Sequence, residues 1–198
     1  MSNALIVENF AKSRIIKFNR PEIRSPLSIF VLERLNAILD EITADSGIET
    51  IIFTGAGDVF ASGADLREIA GTTKEWAREF ALRGQNLMSK IASANQTTIA
   101  AINGFCFGGA LDLALACDRR IAAPNAQFSH PGVNLGIITG WGGTQRLPRL
   151  IGEASALEMF LTAKIVDANE ALRIGLIDEI AENPQEFSLA NSCKKNSS

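Results

Sequence analysis

Short β-prone runs alternate with longer segments of helical periodicity along most of the chain. Residues 4–9 and 14–18 predict a hairpin at the start, and residues 50–54 predict a buried strand. Apolar positions recur at helical spacing after Ser28, a favourable N-cap, and over residues 74–94, and they predict amphipathic helices there. Further strands are predicted at residues 99–102, 120–123, 127–129 and 176–180, and further helices at residues 153–163 and 168–174. This alternation is typical of the α/β class, and periodicity alone would suggest a doubly wound sheet.

The most informative stretch, residues 98–118, joins a short apolar run, a glycine turn and an Ala/Leu-rich helical segment. Gly108 and Gly109 stand at the predicted start of the helix, and Asp112 is the one acid within it. A helix N-terminus offers unpaired N–H groups, and glycines leave room for a ligand oxygen, so this place suits a developing negative charge. The alternative is purely structural: the glycines allow close packing, and Asp112 is an ordinary acid of a first helical turn.

Composition and charge exclude some classes of partner and site, but they do not indicate a function. The 198 residues suit one domain, and the net charge of −3 gives no reason to expect nucleic acid or a membrane surface as a partner. The N-terminus lacks a basic region followed by an uninterrupted apolar run, so we expect a cytoplasmic location, or an organellar one if a targeting segment has been lost. Cys106, Cys117 and Cys193 have neither zinc nor CxxC spacing, which predicts reduced thiols. A single histidine argues against a His-based metal site, so we expect no metal.

The sequence lacks the motifs of several common enzyme classes. There is no GxSxG, no Walker loop and no GxGxxG. Their absence removes the usual hydrolase, NTPase and dinucleotide-binding interpretations.

A second motif changes the interpretation of the glycine stretch. Residues 60–68, FASGADLRE, resemble the first oxyanion-hole motif of the enoyl-CoA hydratase/isomerase (crotonase) family, and residues 103–118 resemble its second. The resemblance continues through residues 126–152 and 158–179, so it covers nearly the whole chain. It implies the crotonase spiral of repeated ββα units, with residues 1–183 as an acyl-CoA-binding domain.

From the resemblance, we expect the C-terminus to be shorter than is usual in the family. Crotonase-family chains usually continue into a C-terminal helical segment that closes the active site and takes part in trimer assembly, and we expect that segment to be largely absent here. Residues 184–198 are predicted to be a polar, disordered tail. The resemblance implies a homotrimer or a dimer of trimers, and the short C-terminus puts that assembly in question.

The resemblance also implies how catalytic roles are divided. The N–H groups of Ala64 and Gly109 would hold the thioester oxygen of an acyl-CoA. Asp112 stands where the family's hydratases have one of two glutamates, and its shorter side chain withdraws the carboxylate by about 1.5 Å. The second glutamate position is Gly132, which cannot transfer a proton. His130, two residues earlier, has an unperturbed pKa of about 6.5 and is a further candidate for proton transfer, or else a structural histidine.

Local signals around these donors fit the same interpretation. Asp65 and Glu68 form a capping-box pattern, which would open a helix directly after Ala64 and hold its N–H in place. A side chain in place of Gly109 would intrude on the pocket.

Binding of coenzyme A is implied for the loop at residues 23–27. Arg24 is the candidate for a phosphate contact, with a solvated arginine as the alternative, and Phe105 and Phe107 would line the acyl pocket unless they belong to the core. The residues expected to contact the acyl-CoA are Arg24, Pro26, Gly63, Ala64, Asp65, Leu66, Phe105, Phe107, Gly108, Gly109 and Gly132.

These residues support an enzyme that stabilises an acyl-CoA enolate and either hydrates an enoyl-CoA or moves its double bond. Decarboxylation of a malonyl-type acyl-CoA is an alternative, because it needs the oxyanion hole but no second glutamate, and Gly132 favours it. A non-catalytic acyl-CoA-binding remnant is another alternative. Coenzyme A would be part of the thioester substrate, so no separate cofactor is expected.

Overall fold

The chain begins with the predicted hairpin. The computed structural model describes residues 4–71 and 73–192, and within them the chain forms ten strands and eight α-helices. The strands are β1 (Leu5–Phe10), β2 (Ser13–Phe18), β3 (Thr50–Gly55), β4 (Val59–Ala61), β5 (Thr97–Ile102), β6 (Phe105–Phe107), β7 (Arg119–Ala122), β8 (Gln127–Ser129), β9 (Val166–Asp167) and β10 (Glu179–Ile180). The helices are α1 (Ile29–Ala44), α2 (Leu66–Ala70), α3 (Lys74–Ala92), α4 (Gly109–Ala116), α5 (Gly143–Ile151), α6 (Glu153–Thr162), α7 (Ala168–Arg173) and α8 (Pro184–Asn191). Short 3₁₀-helices occupy Pro21–Ile23 and Pro131–Leu135.

The strands form two sheets, and the chain alternates between them. The six-stranded sheet has the order β1-β2-β3-β5-β7-β10, and the four-stranded sheet has the order β4-β6-β8-β9. Successive units run β3, β4, α3, then β5, β6, α4, then β7, β8, α5, and the corresponding strands pair in parallel. This is the predicted spiral of ββα units in an α/β fold, and the doubly wound sheet that periodicity alone suggested is wrong.

The two faces of the six-stranded sheet carry different packing. On one face Ile16 and Phe53 belong to the main core, with the apolar sides of α1, α3 and α4. On the other face Ile15, Ile52 and Ile99 form a second, smaller cluster. Neighbouring residues of a strand point to opposite faces, so both faces of these parallel strands are apolar.

The prediction of a polar tail from residue 184 is wrong for α8. The N-cap of this helix is Asn183, whose side chain accepts a hydrogen bond from the Glu186 N–H at 3.2 Å. Phe187 and Leu189 pack against the second cluster of the six-stranded sheet. The helix forms because it covers an apolar sheet face, which the local sequence does not reveal. Residues 193–198 of the expected tail lie outside the described residues.

The described helices do not include one with the length and apolar character needed to cross a membrane.

Candidate active site

The two glycine motifs meet at the N-terminus of α4. Gly63 has a left-handed backbone, with φ of 84°, and a Cβ atom on it would lie 2.7 Å from the Gly109 nitrogen. No side chain could be placed so close to another backbone, so position 63 requires glycine. The loop before α2 and the start of α4 therefore share one corner of the molecule.

The peptide group between Gly63 and Ala64 has a fixed orientation. Its carbonyl accepts a hydrogen bond from the Leu27 N–H at 2.7 Å, and Leu27 and Ala64 form a parallel bridge. In a trans peptide the N–H points opposite to the carbonyl, so the Ala64 N–H points away from Leu27. Gly109 is the first residue of α4, where N–H groups have no partner within the helix.

Asp65 caps α2 directly after Ala64. Its carboxylate accepts a hydrogen bond from the Arg67 N–H at 3.0 Å and pairs with the Arg67 guanidinium at 2.6 Å. The hydrogen bond from the Arg67 side chain lowers the pKa of Asp65. Glu68 accepts a hydrogen bond from the Ile29 N–H at 2.9 Å, which ties α2 to the start of α1. The expected helix start after Ala64 is therefore present.

Asp112 is fully buried in the first turn of α4, and its two carboxylate oxygens have different surroundings. Oδ2 accepts hydrogen bonds from the Thr139 hydroxyl and from the Trp141 N–H, the latter at 3.3 Å. Oδ1 has no hydrogen-bond partner of normal geometry in the described part of the chain, although the nearby Gly143 N–H also lowers the pKa of this carboxyl group. A Cβ atom on Gly143 would lie 2.1 Å from Oδ1, so the first residue of α5 packs closely against the carboxylate.

The pKa of Asp112 lies close to neutral pH. Burial raises this pKa to about 6, while the hydrogen bonds from Thr139 and Trp141 act in the opposite direction. A group with a pKa near the working pH is ionised often enough to accept a proton and acidic enough to return it.

His130 lies opposite Asp112. Its Nε2 is 3.7 Å from Asp112 Oδ1, which is too long for a hydrogen bond. The ring is buried against Phe160, and neither ring nitrogen has a hydrogen-bond partner among residues 4–71 and 73–192. Burial lowers the pKa of His130 to about 4, so the ring is neutral at physiological pH. Unpaired buried polar atoms are rare in proteins, and here Asp112 Oδ1 and His130 Nε2 lie near each other.

A cavity of about 300 Å³ connects these groups. Its polar wall includes Asp112 and His130, and Ala64, Gly109 and Gly132 also face it. Most of the remaining wall is apolar and comes from Leu66, Ile69, Phe80, Leu135, Ile137, Ile138 and Trp141. A concave apolar site with a few convergent polar groups is the usual form of a small-molecule site.

Trp141 forms the wall beside Gly109 and is 2% exposed. A Cβ atom on Gly109 would lie 2.3 Å from the indole Cζ3, and one on Gly84 would lie 2.2 Å from Cδ1. The indole therefore fits between α3 and α4 because both positions lack a side chain. The sequence interpretation missed Trp141, although an isolated glycine inside a long predicted helix was a signal of close packing.

The sequence matches the family described as enoyl-CoA hydratase/isomerase over residues 11–193. The chain belongs to this family. It is 40% identical over 184 residues to the crotonyl-CoA hydratase of Syntrophomonas wolfei, covering 92% of this chain and 70% of that protein. It is 39% identical over 194 residues to the short-chain-enoyl-CoA hydratase of Clostridium acetobutylicum, covering 98% of this chain and 73% of that protein.

A solved structure agrees with the family assignment. The enoyl-CoA hydratase from Bacillus anthracis superposes with a TM-score of 0.91 at 36% identity, over 96% of this chain and 75% of that one. The crotonase fold of the enoyl-CoA hydratase/isomerase family is therefore present, as the resemblance implied.

Gly132 marks a departure from the glutamate pattern that the resemblance implied for family hydratases. A Cβ atom on Gly132 would lie 2.7 Å from the Ile137 carbonyl oxygen. The Ile137 N–H donates to the Gly132 carbonyl at 3.0 Å, so the turn closes tightly on the glycine. This backbone has no room for a glutamate side chain.

Arg24 lies outside the cavity, on the exposed loop after the first 3₁₀-helix. Its guanidinium is 4.8 Å from the centre of the Phe105 ring, and Phe105 stacks on Phe107 at 3.6 Å between centroids. The cavity walls do not include Phe105 or Phe107, contrary to our expectation. The reason is that these rings stack on each other beneath Arg24, while α3 and the segment around Trp141 supply the apolar walls.

The two cysteines that the structure describes lie in the interior. Cys106 and Cys117 are buried free thiols, and burial raises the pKa of both; Cys193 lies outside the described residues. In the part of the chain that the structure describes, the His, Cys, Asp and Glu side chains form no group that could hold a metal ion.

Proposed function

We propose that this protein adds water to the double bond of a 2-enoyl-CoA thioester. The proposal rests on one observation: Asp112 Oδ1 and His130 Nε2, both buried and unpaired among the described residues, lie 3.7 Å apart in the cavity that Ala64 and Gly109 also line. The relatives named as crotonyl-CoA hydratase and short-chain-enoyl-CoA hydratase support the same class of reaction.

The thioester oxygen accepts hydrogen bonds from the N–H groups of Ala64 and Gly109. The Leu27 hydrogen bond to the Gly63 carbonyl sets the direction of the Ala64 N–H, and the helix dipole of α4 adds positive potential at Gly109. As water attacks C3, negative charge moves onto this oxygen and an enolate forms. Losing one such donor typically lowers the rate by about a hundredfold or more.

Asp112 moves the proton. Its ionised Oδ1 takes a proton from the attacking water while the new C–O bond forms at C3. The protonated carboxyl group then returns that proton to C2, which restores the thioester and leaves Asp112 ionised. A pKa of about 6 suits both steps near neutral pH.

His130 orients the water. Two polar atoms that are 3.7 Å apart can both reach a single water molecule, and a neutral ring can donate or accept a hydrogen bond. In this role His130 substitutes for the second family glutamate, which Gly132 cannot supply.

The coenzyme A portion lies along residues 23–27. Arg24 is exposed and cationic. Pro26 lies between it and Leu27, and Leu27 connects this loop to Ala64 through the parallel bridge. Gly63, Asp65 and Leu66 complete this side of the site, and Gly108 lets the ligand approach α4. The loop would thus bring the nucleotide close to the donors of the thioester oxygen.

The proposal also includes association of copies of this chain, as a homotrimer or a dimer of trimers. Leu157 and Leu161 of α6 and the nearby Ile165 are each more than half exposed, which supports burial against another copy. Light scattering of the purified protein would give the mass, and a monomer at micromolar concentration would contradict this part.

The deciding experiment incubates the protein with a panel of 2-enoyl-CoA thioesters in heavy water and follows the products by mass spectrometry. We expect one molecule of heavy water to be added across the double bond, with deuterium at the α-carbon. Asp112→Asn should abolish both the addition of water and the incorporation of deuterium, and it should still bind the thioester. Asp40→Asn is the matched control, because Asp40 is an exposed partner of Lys90 on the surface.

Other outcomes would overturn the proposal. Water addition by Asp112→Asn would remove the acid–base role of Asp112. Deuterium exchange with a shifted double bond but no added water would indicate isomerisation. Loss of carbon dioxide from a malonyl-type thioester alone would indicate decarboxylation, and binding without any turnover would leave an acyl-CoA-binding protein.

A further inference from the structure

The carboxylate of Asp112 depends on one side chain for its orientation. Among the described residues, the Thr139 hydroxyl is the side-chain donor on Oδ2, and the other donor is the backbone N–H of Trp141. Rotation about the last bond of an aspartate is soft, so hydrogen bonds rather than torsional preference decide where its oxygens point. With Oδ2 held by Thr139, Oδ1 is left facing His130 and the cavity.

The Thr139 hydroxyl is itself held by the residues that follow it. The Gly140 carbonyl accepts a hydrogen bond from the Gln85 side chain at 2.8 Å, which ties the segment to α3. Trp141 is buried against Gly84 and packs on Phe80, with 5.5 Å between the ring centroids. The hydroxyl is therefore presented by a braced segment and not by a free loop.

We propose that Thr139 is a positioning residue for the reaction, which fixes the Asp112 carboxylate so that Oδ1 meets the attacking water. This inference rests on the proposed hydration chemistry of Asp112. Because Asp112 is shorter than glutamate, it has less freedom to recover a misplaced oxygen. A displacement of about 1 Å at a reacting atom can cost on the order of a hundredfold in rate.

Thr139 also affects the proton affinity of the carboxylate. Its hydrogen bond favours the ionised form and so lowers the pKa of Asp112 against the effect of burial. The other titratable or charged groups that interact with Asp112 are His130, Arg146 of α5 and Cys106 of β6, and a change at Thr139 leaves all three in place.

The test compares Thr139→Val, Thr139→Ala and Thr139→Ser by their pH–rate profiles on a 2-enoyl-CoA that the protein hydrates. Valine and alanine remove the hydroxyl, and alanine does so without setting a methyl group against the carboxylate. We expect kcat to fall by about ten- to a hundredfold with KM within about twofold, and the acid limb to move to higher pH. Thr139→Ser keeps the hydroxyl, so its kcat and the position of its acid limb should be close to those of the wild type.

The control is Thr162→Val, which removes an exposed hydroxyl that donates to the Glu158 carbonyl on α6. Urea unfolding of each variant establishes that it is folded. Unchanged kcat and an unmoved acid limb in folded Thr139→Ala would overturn the inference. So would a loss of activity that Thr139→Ser does not restore, because that would be a packing effect. Asp112→Asn, measured in the same series, tests the proposed function separately: if it remains active, the acid–base role itself fails.

Discussion

A Cβ atom on Gly84 would lie 2.2 Å from Cδ1 of Trp141. An alanine in the middle of a helix normally stabilises it by about 1 kcal/mol relative to glycine. Here we expect Gly84→Ala to lower the free energy of unfolding by about 1–3 kcal/mol, because the methyl group overpacks the indole.

Urea denaturation would measure this change. Gly71→Ala is the control, since a Cβ atom there would meet its nearest neighbour only at 3.9 Å. Combining Gly84→Ala with Trp141→Leu should recover part of the loss. If Gly84→Ala is as stable as the wild type, the close packing described for these two residues is wrong.

Gly109→Ala would place a methyl group against the same indole, on the side that faces the cavity. The new Cβ atom would lie 2.3 Å from Cζ3 of Trp141, so either the ring or the start of α4 must move. We expect kcat/KM to fall by about a hundredfold or more, because the Gly109 N–H is displaced from the thioester oxygen. Steady-state kinetics would measure the fall, and circular dichroism would check the fold. Activity equal to that of Gly71→Ala would contradict an oxyanion role for this N–H.

Asp112→Asn should make the protein more stable at neutral pH. The folded-state pKa of Asp112 is raised from 3.8 to about 6, so the folded state binds its proton more tightly than the unfolded state. Ionisation of the buried acid therefore costs up to roughly 3 kcal/mol above pH 6, and this cost disappears below about pH 4. We expect Asp112→Asn to unfold at higher urea concentration at pH 7 and to match the wild type near pH 4.

Protonation of His130 also changes stability with pH, so the effect of Asp112 must be measured as the difference between the wild type and Asp112→Asn. The pKa of His130 is lowered to about 4, so protonation of the unfolded state removes stability as pH falls from about 6.5 to 4. Between pH 4 and 6 the free energy of unfolding therefore rises with pH because of His130 and falls with pH because of Asp112. The wild type and Asp112→Asn share the contribution of His130, so the difference between their free energies of unfolding removes it to first order. Asp40→Asn should show no comparable gain at pH 7, and an Asp112→Asn variant less stable than the wild type would contradict the buried-charge cost.

Gly132→Glu should not restore a two-glutamate site. Its Cβ atom would lie 2.7 Å from the Ile137 carbonyl oxygen, so the turn must open before the side chain can enter. We expect a loss of stability of about 1–3 kcal/mol and no gain in kcat. Gly132→Ala separates the two effects, because it carries the clash without the carboxylate. A rise in hydration rate for Gly132→Glu over Gly132→Ala would show that the turn can adapt.

Elements with a local signal were predictable from the sequence. Ser28 does cap α1, where its hydroxyl accepts a hydrogen bond from the Val31 N–H at 3.4 Å, and Asp65 caps α2. Both caps are set by residues within one helical turn. The hairpin, β3 and most helices have comparable short-range patterns, and the glycine motifs led to the candidate site through the family resemblance.

The contacts that shape the site are long-range and have no such signal. Thr139 reaches Asp112 across 27 positions, and no periodicity or spacing rule connects them. The same reason explains the error at α8, where Phe187 and Leu189 acquire their role only from a sheet face made by distant strands. Phe105 and Phe107 were assigned to the pocket by resemblance, and their mutual stacking beneath Arg24 depends on the conformation of another loop.

The position of Trp141 also gives the protein an intrinsic optical probe. The chain has two tryptophans and no tyrosine. Trp76 stacks on Phe80 at 5.3 Å, and Phe80 in turn packs on Trp141, so both fluorophores belong to one aromatic cluster at the cavity. Ultraviolet emission from this protein therefore originates beside the cavity, and Trp76→Phe would leave a single emitter in its wall. Occupancy of the cavity can then be followed in real time without a dye or a labelled substrate.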